Sequence, residues 1–133
     1  MSRENVEVVR RAFEAWDAGN LSGLLALLDD DLVTRRLPPM ADPGTWHGTE
    51  GMLEMVAEWM EAFDEFKMKA EEFIDAGDHV VVPVAQAGRG SDSGVPVTAT
   101  FWFVYGVRDG KTLTTLDIYA TRGEALEAAG LRE

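Results

Sequence analysis

The stretch Phe101-Trp102-Phe103-Val104-Tyr105 ends a β-type run, Val95 to Val107, and is apolar at consecutive positions. Side chains alternate along a strand, so this segment presents a hydrophobic surface on both sides. Neither face can be left to water. A fold for this chain must place the run inside a sheet and cover it twice. Helices can take one face. For the other, a second copy of the sheet is available, which would make the protein a homodimer through its outer sheet face.

The helices stand upstream. Val6, Val9, Phe13 and Trp16 recur at three- and four-residue steps, with Glu4, Glu7, Arg10, Arg11 and Glu14 mostly opposite them. This predicts an amphipathic helix ended by Gly19-Asn20. Leu21, Leu24, Leu25 and Leu28 predict a shorter second helix, closed by Asp29-Asp30-Asp31, and Leu32 to Leu37 a modest strand. Pro38-Pro39 and Asp42-Pro43-Gly44 have loop chemistry. Thr49 is then expected to cap a third helix, in which Met52, Met55, Val56, Trp59, Met60 and Phe63 keep helical spacing.

After Phe66 the period falls to two. Met68–Ile74, His79–Ala87, Val95–Val107 and Thr112–Ala120 read as strands, and the short connections between them make neighbours antiparallel. Thr121-Arg122-Gly123-Glu124 is a capping box opening a short helix, Ala125–Ala129. The expectation is an α+β fold in a single domain, residues 1–133.

Charge and composition narrow the partners. With 24 acidic against 12 basic residues the net charge is -12, which repels a nucleic-acid backbone or an anionic membrane. The chain has no cysteine, so thiolate metal sites, disulfides and a cysteine nucleophile are excluded. No window approaches the ~20 apolar residues of a membrane-spanning helix, and the cytoplasm is the expected location. His47 lies near Asp42 and Glu50 in sequence but without metal-ligand spacing, so no metal and no cofactor are expected.

Several segments together resemble a known family. Val8-Val9-Arg10-Arg11-Ala12-Phe13-Glu14-Ala15-Trp16-Asp17-Ala18-Gly19-Asn20, followed by the leucines and an acidic cluster, is similar to the start of nuclear-transport-factor-2-like (NTF2-like) proteins. Trp46-His47-Gly48-Thr49-Glu50-Gly51, the segment from Phe73 to Val82, Arg108-Asp109-Gly110-Lys111 and the segment from Arg122 to Leu131 resemble the SnoaL-like branch. The resemblance implies a cone: a curved antiparallel sheet wrapped around three N-terminal helices, an apolar cavity, a short C-terminal helix, and dimerisation through the outer face. Its relatives include polyketide cyclases, ketosteroid isomerases and epoxide hydrolases, so the resemblance alone assigns no reaction.

Each chemistry can be tried on the residues. Where ketosteroid isomerases carry a donor tyrosine and a base carboxylate, this chain has Ala12 and Arg36, neither of which does that work. No predicted strand holds the Arg-x-Asp of the epoxide hydrolases. A cyclase needs one acid/base group in an apolar pocket, and Asp117 is the candidate proton carrier, with Tyr119 and Arg36 to orient or polarise a carbonyl substrate. That reading requires Asp117 to face the cavity; on the outer face it would instead pair with a cross-strand or dimer partner. The histidine that cyclases place on an adjacent strand is missing from Val95–Val107.

Of Arg35 and Arg36, alternation sends one inward, where it would seek a carboxylate, either that of Asp117 or that of a ligand. Trp16, Trp46, Trp59 and Trp102, with His47 and Arg35, are the candidate substrate-binding residues. The expected partner is a hydrophobic, ring-bearing small molecule. The competing reading is a non-catalytic carrier or sensor, or a dimeric interaction module.

Overall fold

The change of hydrophobic period divides the protein in its computed structural model, which describes residues 2–40 and 42–131. Helices α1 (Ser2–Asp17), α2 (Leu21–Leu25) and α3 (Gly48–Glu61) come early, interrupted by strands β1 (Leu28–Arg36) and β2 (Gly44–His47). Strands β3 (Phe63–Ala70), β4 (Ile74–Ala76), β5 (His79–Gly90), β6 (Pro96–Arg108) and β7 (Thr112–Tyr119) follow, and α4 (Arg122–Ala128) is the last element. The strands form one curved, unclosed sheet in the order β2-β1-β7-β6-β5-β3, with β4 also on β5.

The connections of β5 to β6 and β6 to β7 make antiparallel pairs as expected, while β1 runs parallel to β7. That parallel pairing overrides the local reading of the second helix. Leu28 fits a helical stripe, but in the fold it stands opposite Leu113 and opens β1, taking Asp29 to Asp31 into the strand. Likewise Trp46 and His47, just after the loop chemistry of Asp42-Pro43-Gly44, form β2 because β1 offers them an edge, with Thr34 opposite Trp46. Phe63 leaves the third helix for β3 because β5 pairs with it there. Thr49 is not the cap of α3; that position is held by His47, whose side chain makes no capping bond. Thr121 does cap α4, accepting from the Glu124 amide at 3.3 Å and donating to Glu124 Oε1 at 2.7 Å.

The doubly apolar strand is covered twice within one chain. On its inner face, Phe103 and Tyr105 pack against Phe13 of α1, with ring centroids 6.4 and 6.1 Å apart. On its outer face, Val104 joins Val81 beneath Ala125 and Leu126 of α4, with Trp102 and Tyr119 alongside. The last helix therefore covers the patch for which a second copy of the sheet was expected. The apolar pattern of β6 does not by itself demand a partner. Among the described residues no helix is long and apolar enough to cross a membrane.

Candidate functional site

The helices do not fill the concave side of the sheet. A cavity of about 100 Å³ remains between α1, α3 and the inner faces of β1, β6 and β7. Its walls come from the inward alternates of each strand: Leu28, Leu32 and Arg36 on β1, Phe101, Phe103 and Tyr105 on β6, and Leu113, Leu116 and Ile118 on β7. Helix α3 adds Met52, Met55, Val56, Trp59 and Met60, the stripe visible in its spacing. Trp16, Phe66, Met68 and Gln86 line both the cavity and an open groove beside it, which places the rim on that side.

Three polar side chains stand in this apolar lining: Arg36, Gln86 and Tyr105. No aspartate, glutamate or histidine lines the cavity among the described residues. Arg36 is only 6% exposed. Its guanidinium carbon lies 5.0 Å from the Trp46 ring centroid and 4.9 Å from that of Trp59, so aromatic faces flank the charge. Nη1 donates to the backbone carbonyl of Asp42 at 2.9 Å. Among the described residues no other acceptor and no ion-pair partner reaches it. Burial lowers its pKa from the usual arginine value, against the opposing pull of the Asp42 and Glu58 charges. An arginine stays protonated regardless, so the cavity contains a fixed cation.

Gln86 holds this arrangement from the opposite wall. Trp59 Nε1 donates to Gln86 Oε1 at 2.9 Å, while the Trp59 ring meets Phe101 edge-on with centroids 5.6 Å apart. The glutamine carbonyl thereby accepts one bond, and its amide N–H groups stand beside it as donors. Tyr105 is buried, its hydroxyl makes no hydrogen bond among the described residues, and desolvation pushes its pKa up, keeping it neutral.

The fold separates the expected site residues. Arg36, Trp16 and Trp59 line the cavity, and Trp46 joins them by stacking on Arg36. Asp117, expected as the proton carrier of the cavity, does not line it. Leu116 and Ile118 take the inward positions of β7, so alternation turns Asp117 and Tyr119 to the outer face. The parallel register sets Asp117 beside Arg35, which also points outward. Arg35 Nε donates to Oδ1 at 2.8 Å and Nη2 to Oδ2 at 2.6 Å. That bond to Asp117 raises the pKa of Arg35. Tyr119, half-buried near the same pair, is raised first by burial and then by the Asp117 charge.

Trp102 is also an outer-face residue, with the Arg122 guanidinium carbon 5.3 Å from its ring centroid. His47 is exposed at the start of α3. No group of side chains suited to hold a metal occurs among the described residues. Two polar lining residues were not among the candidates. Gln86 carries a faint signal, as the polar member of the series Val80, Val82, Val84, Gln86; Tyr105 hides at the end of an aromatic run.

Comparison with known proteins agrees with this architecture. The model of the SnoaL-like domain family matches residues 9–113. An NTF2-like protein of unknown function from Burkholderia pseudomallei superposes with a TM-score of 0.74 at 24% identity, over 93% of this chain and 95% of that one. A protein from Catenulispora acidiphila with a ketosteroid isomerase-like fold, solved with trimethylamine, gives 0.70 at 21% identity over 94% and 93%. TerC, co-crystallised with polyporic acid, gives 0.75 at 22% identity over 96% and 98%. At these identities the likeness concerns the fold. No curated protein matches the chain.

Proposed function

This chain belongs to the SnoaL-like domain family, and on that premise we propose that it binds a hydrophobic, ring-bearing small molecule in the cavity of its sheet. The observation that carries the reading is the cavity itself: an apolar space walled by aromatic and aliphatic side chains with a few polar groups, the usual make-up of a ligand site. Its volume of about 100 Å³ limits the occupant. An apolar cavity of about 150 Å³ admits one benzene ring, so the space is tight for a single ring, and a substituted ring must reach past the rim at Trp16, Phe66, Met68 and Gln86 into the adjoining groove. TerC, a fold neighbour, was crystallised with a small molecule, in keeping with this use of the fold.

The geometry supports binding better than acid/base catalysis. A cyclase or isomerase working through Asp117 needs that carboxylate beside the substrate, and it lies across the sheet in a pair with Arg35. The reading is therefore a carrier or sensor, with Trp16 at the rim and Trp59 in the wall. Titration with toluene, benzamide and benzoate, followed by tryptophan fluorescence and calorimetry, tests it. At least one of these should bind at one site per chain, and Ala12→Leu, which fills the void from α1, should abolish uptake while the protein stays folded. Unchanged uptake by a folded Ala12→Leu variant would refute the cavity as the site.

A further inference from the structure

Resting on that reading, we infer that the occupant carries an acidic group on its ring, a single-ring carboxylate being the simplest case, and that Arg36 is the residue that selects it. Arg36 is a buried cation, and burying a charge without a close counter-charge is unfavourable. Proteins keep such a group where something else supplies the missing charge. Here the chain supplies it only in part: among the described residues no carboxylate lies within ion-pair distance of Arg36, Asp42 bonds it through its backbone carbonyl, and the charges of Asp42 and Glu58 act from farther off and do not offset burial.

The shape of the site adds a direction. Trp46 and Trp59 cover the guanidinium and leave its N–H edges for partners. Those edges match the two oxygens of a carboxylate lying in the guanidinium plane. Gln86 already accepts from Trp59 through its carbonyl oxygen and has its amide N–H groups to offer as donors. The polar lining thus offers hydrogen-bond donors at Arg36, Gln86 and Tyr105, a set that suits an acceptor-rich, negatively charged group. The net charge of -12 works against any anion approaching from water. Selection must therefore come from short-range contacts inside the cavity, where solvent screens least.

Benzoate and benzamide share size and shape and differ in charge, so they isolate this contribution. The wild-type protein should bind benzoate about ten- to a hundredfold more tightly than benzamide, the range of a charge-assisted hydrogen bond. In Arg36→Met the gap should close, because benzoate loses more affinity than benzamide, whose neutral carbonyl bonds the guanidinium more weakly. Arg36→Lys, which keeps the charge without the planar fork, should fall between the two. Benzamide binding as tightly as benzoate to the wild type overturns the inference and leaves the cavity reading intact, as does a preference that survives in Arg36→Met. Binding of neither probe, nor of toluene, overturns both. Should Arg36→Met fail to fold, the wild-type comparison and the Arg36→Lys variant still decide.

Discussion

Replacing Asp117 by asparagine separates a residue that holds two strands together from one that acts on a substrate. Asp117 receives two hydrogen bonds from Arg35, at 2.8 and 2.6 Å, across the parallel β1–β7 pair. The carboxylate side chain is 16% exposed and the arginine 46%, so water screens the pair substantially. Exposed ion pairs contribute about 0.2–1 kcal/mol, and two-pronged geometry places this one toward the upper end, at about 0.5–1 kcal/mol. Asparagine keeps one acceptor oxygen and the shape, so Asp117→Asn should lower unfolding free energy by no more than that amount. For a chain of this size the melting temperature would drop by about 2–5 °C. Urea denaturation of Asp117→Asn, Arg35→Gln and the double variant gives the coupling directly, and added salt should shrink it. Uptake of ring compounds should be unchanged in Asp117→Asn. A coupling above about 3 kcal/mol, or a folded Asp117→Asn variant that no longer takes up ligand, would refute the placement of this residue outside the site.

Two further outcomes follow from buried and charged groups away from the cavity. Thr34 is fully buried and its hydroxyl has no partner among the described residues, so Thr34→Val should raise stability by about 1 kcal/mol in urea denaturation; a loss of stability would mean that the hydroxyl is bonded. Asp29 has its pKa lowered, first by the Arg108 hydrogen bond and then by the Asp31 amide. A depressed carboxylate pKa means that its contribution is complete above the ordinary value of 3.8 and is lost as pH falls through the folded-state value. Asp29→Asn should flatten the acid limb of the stability profile and leave the region above pH 5 parallel to wild type; an unchanged acid limb contradicts the Arg108 pairing.

Much of the architecture is legible in the order of the residues because period reports burial. The stripe from Met52 to Met60 and the alternation through β5, β6 and β7 place these elements and their neighbours correctly. The misread segments are those whose form depends on a partner far along the chain. Leu28 obeys helical spacing and becomes a strand residue only because β7 lies beside it; Trp46 and His47 become a strand because β1 presents a free edge. The site is legible to the same extent. Alternation requires one arginine of the Arg35–Arg36 pair to point inward, and that residue is Arg36. Which face of β7 is inner depends on how Leu113, Leu116 and Ile118 meet the helices, with an irregular register near Gly106 and Val107, so alternation alone leaves both faces open to Asp117 and the fold turns it outward. Gln86 acquires meaning only through Trp59, a neighbour 27 positions away.

A crystal structure of the protein grown with benzoate tests the central claim most directly. The account predicts the ring within the cavity between α3 and β6, with its carboxylate hydrogen-bonded to the Arg36 edge beside Trp46 and Trp59. Benzoate bound only on the outer sheet face, or seated in the cavity with its carboxylate turned away from Arg36, would contradict it.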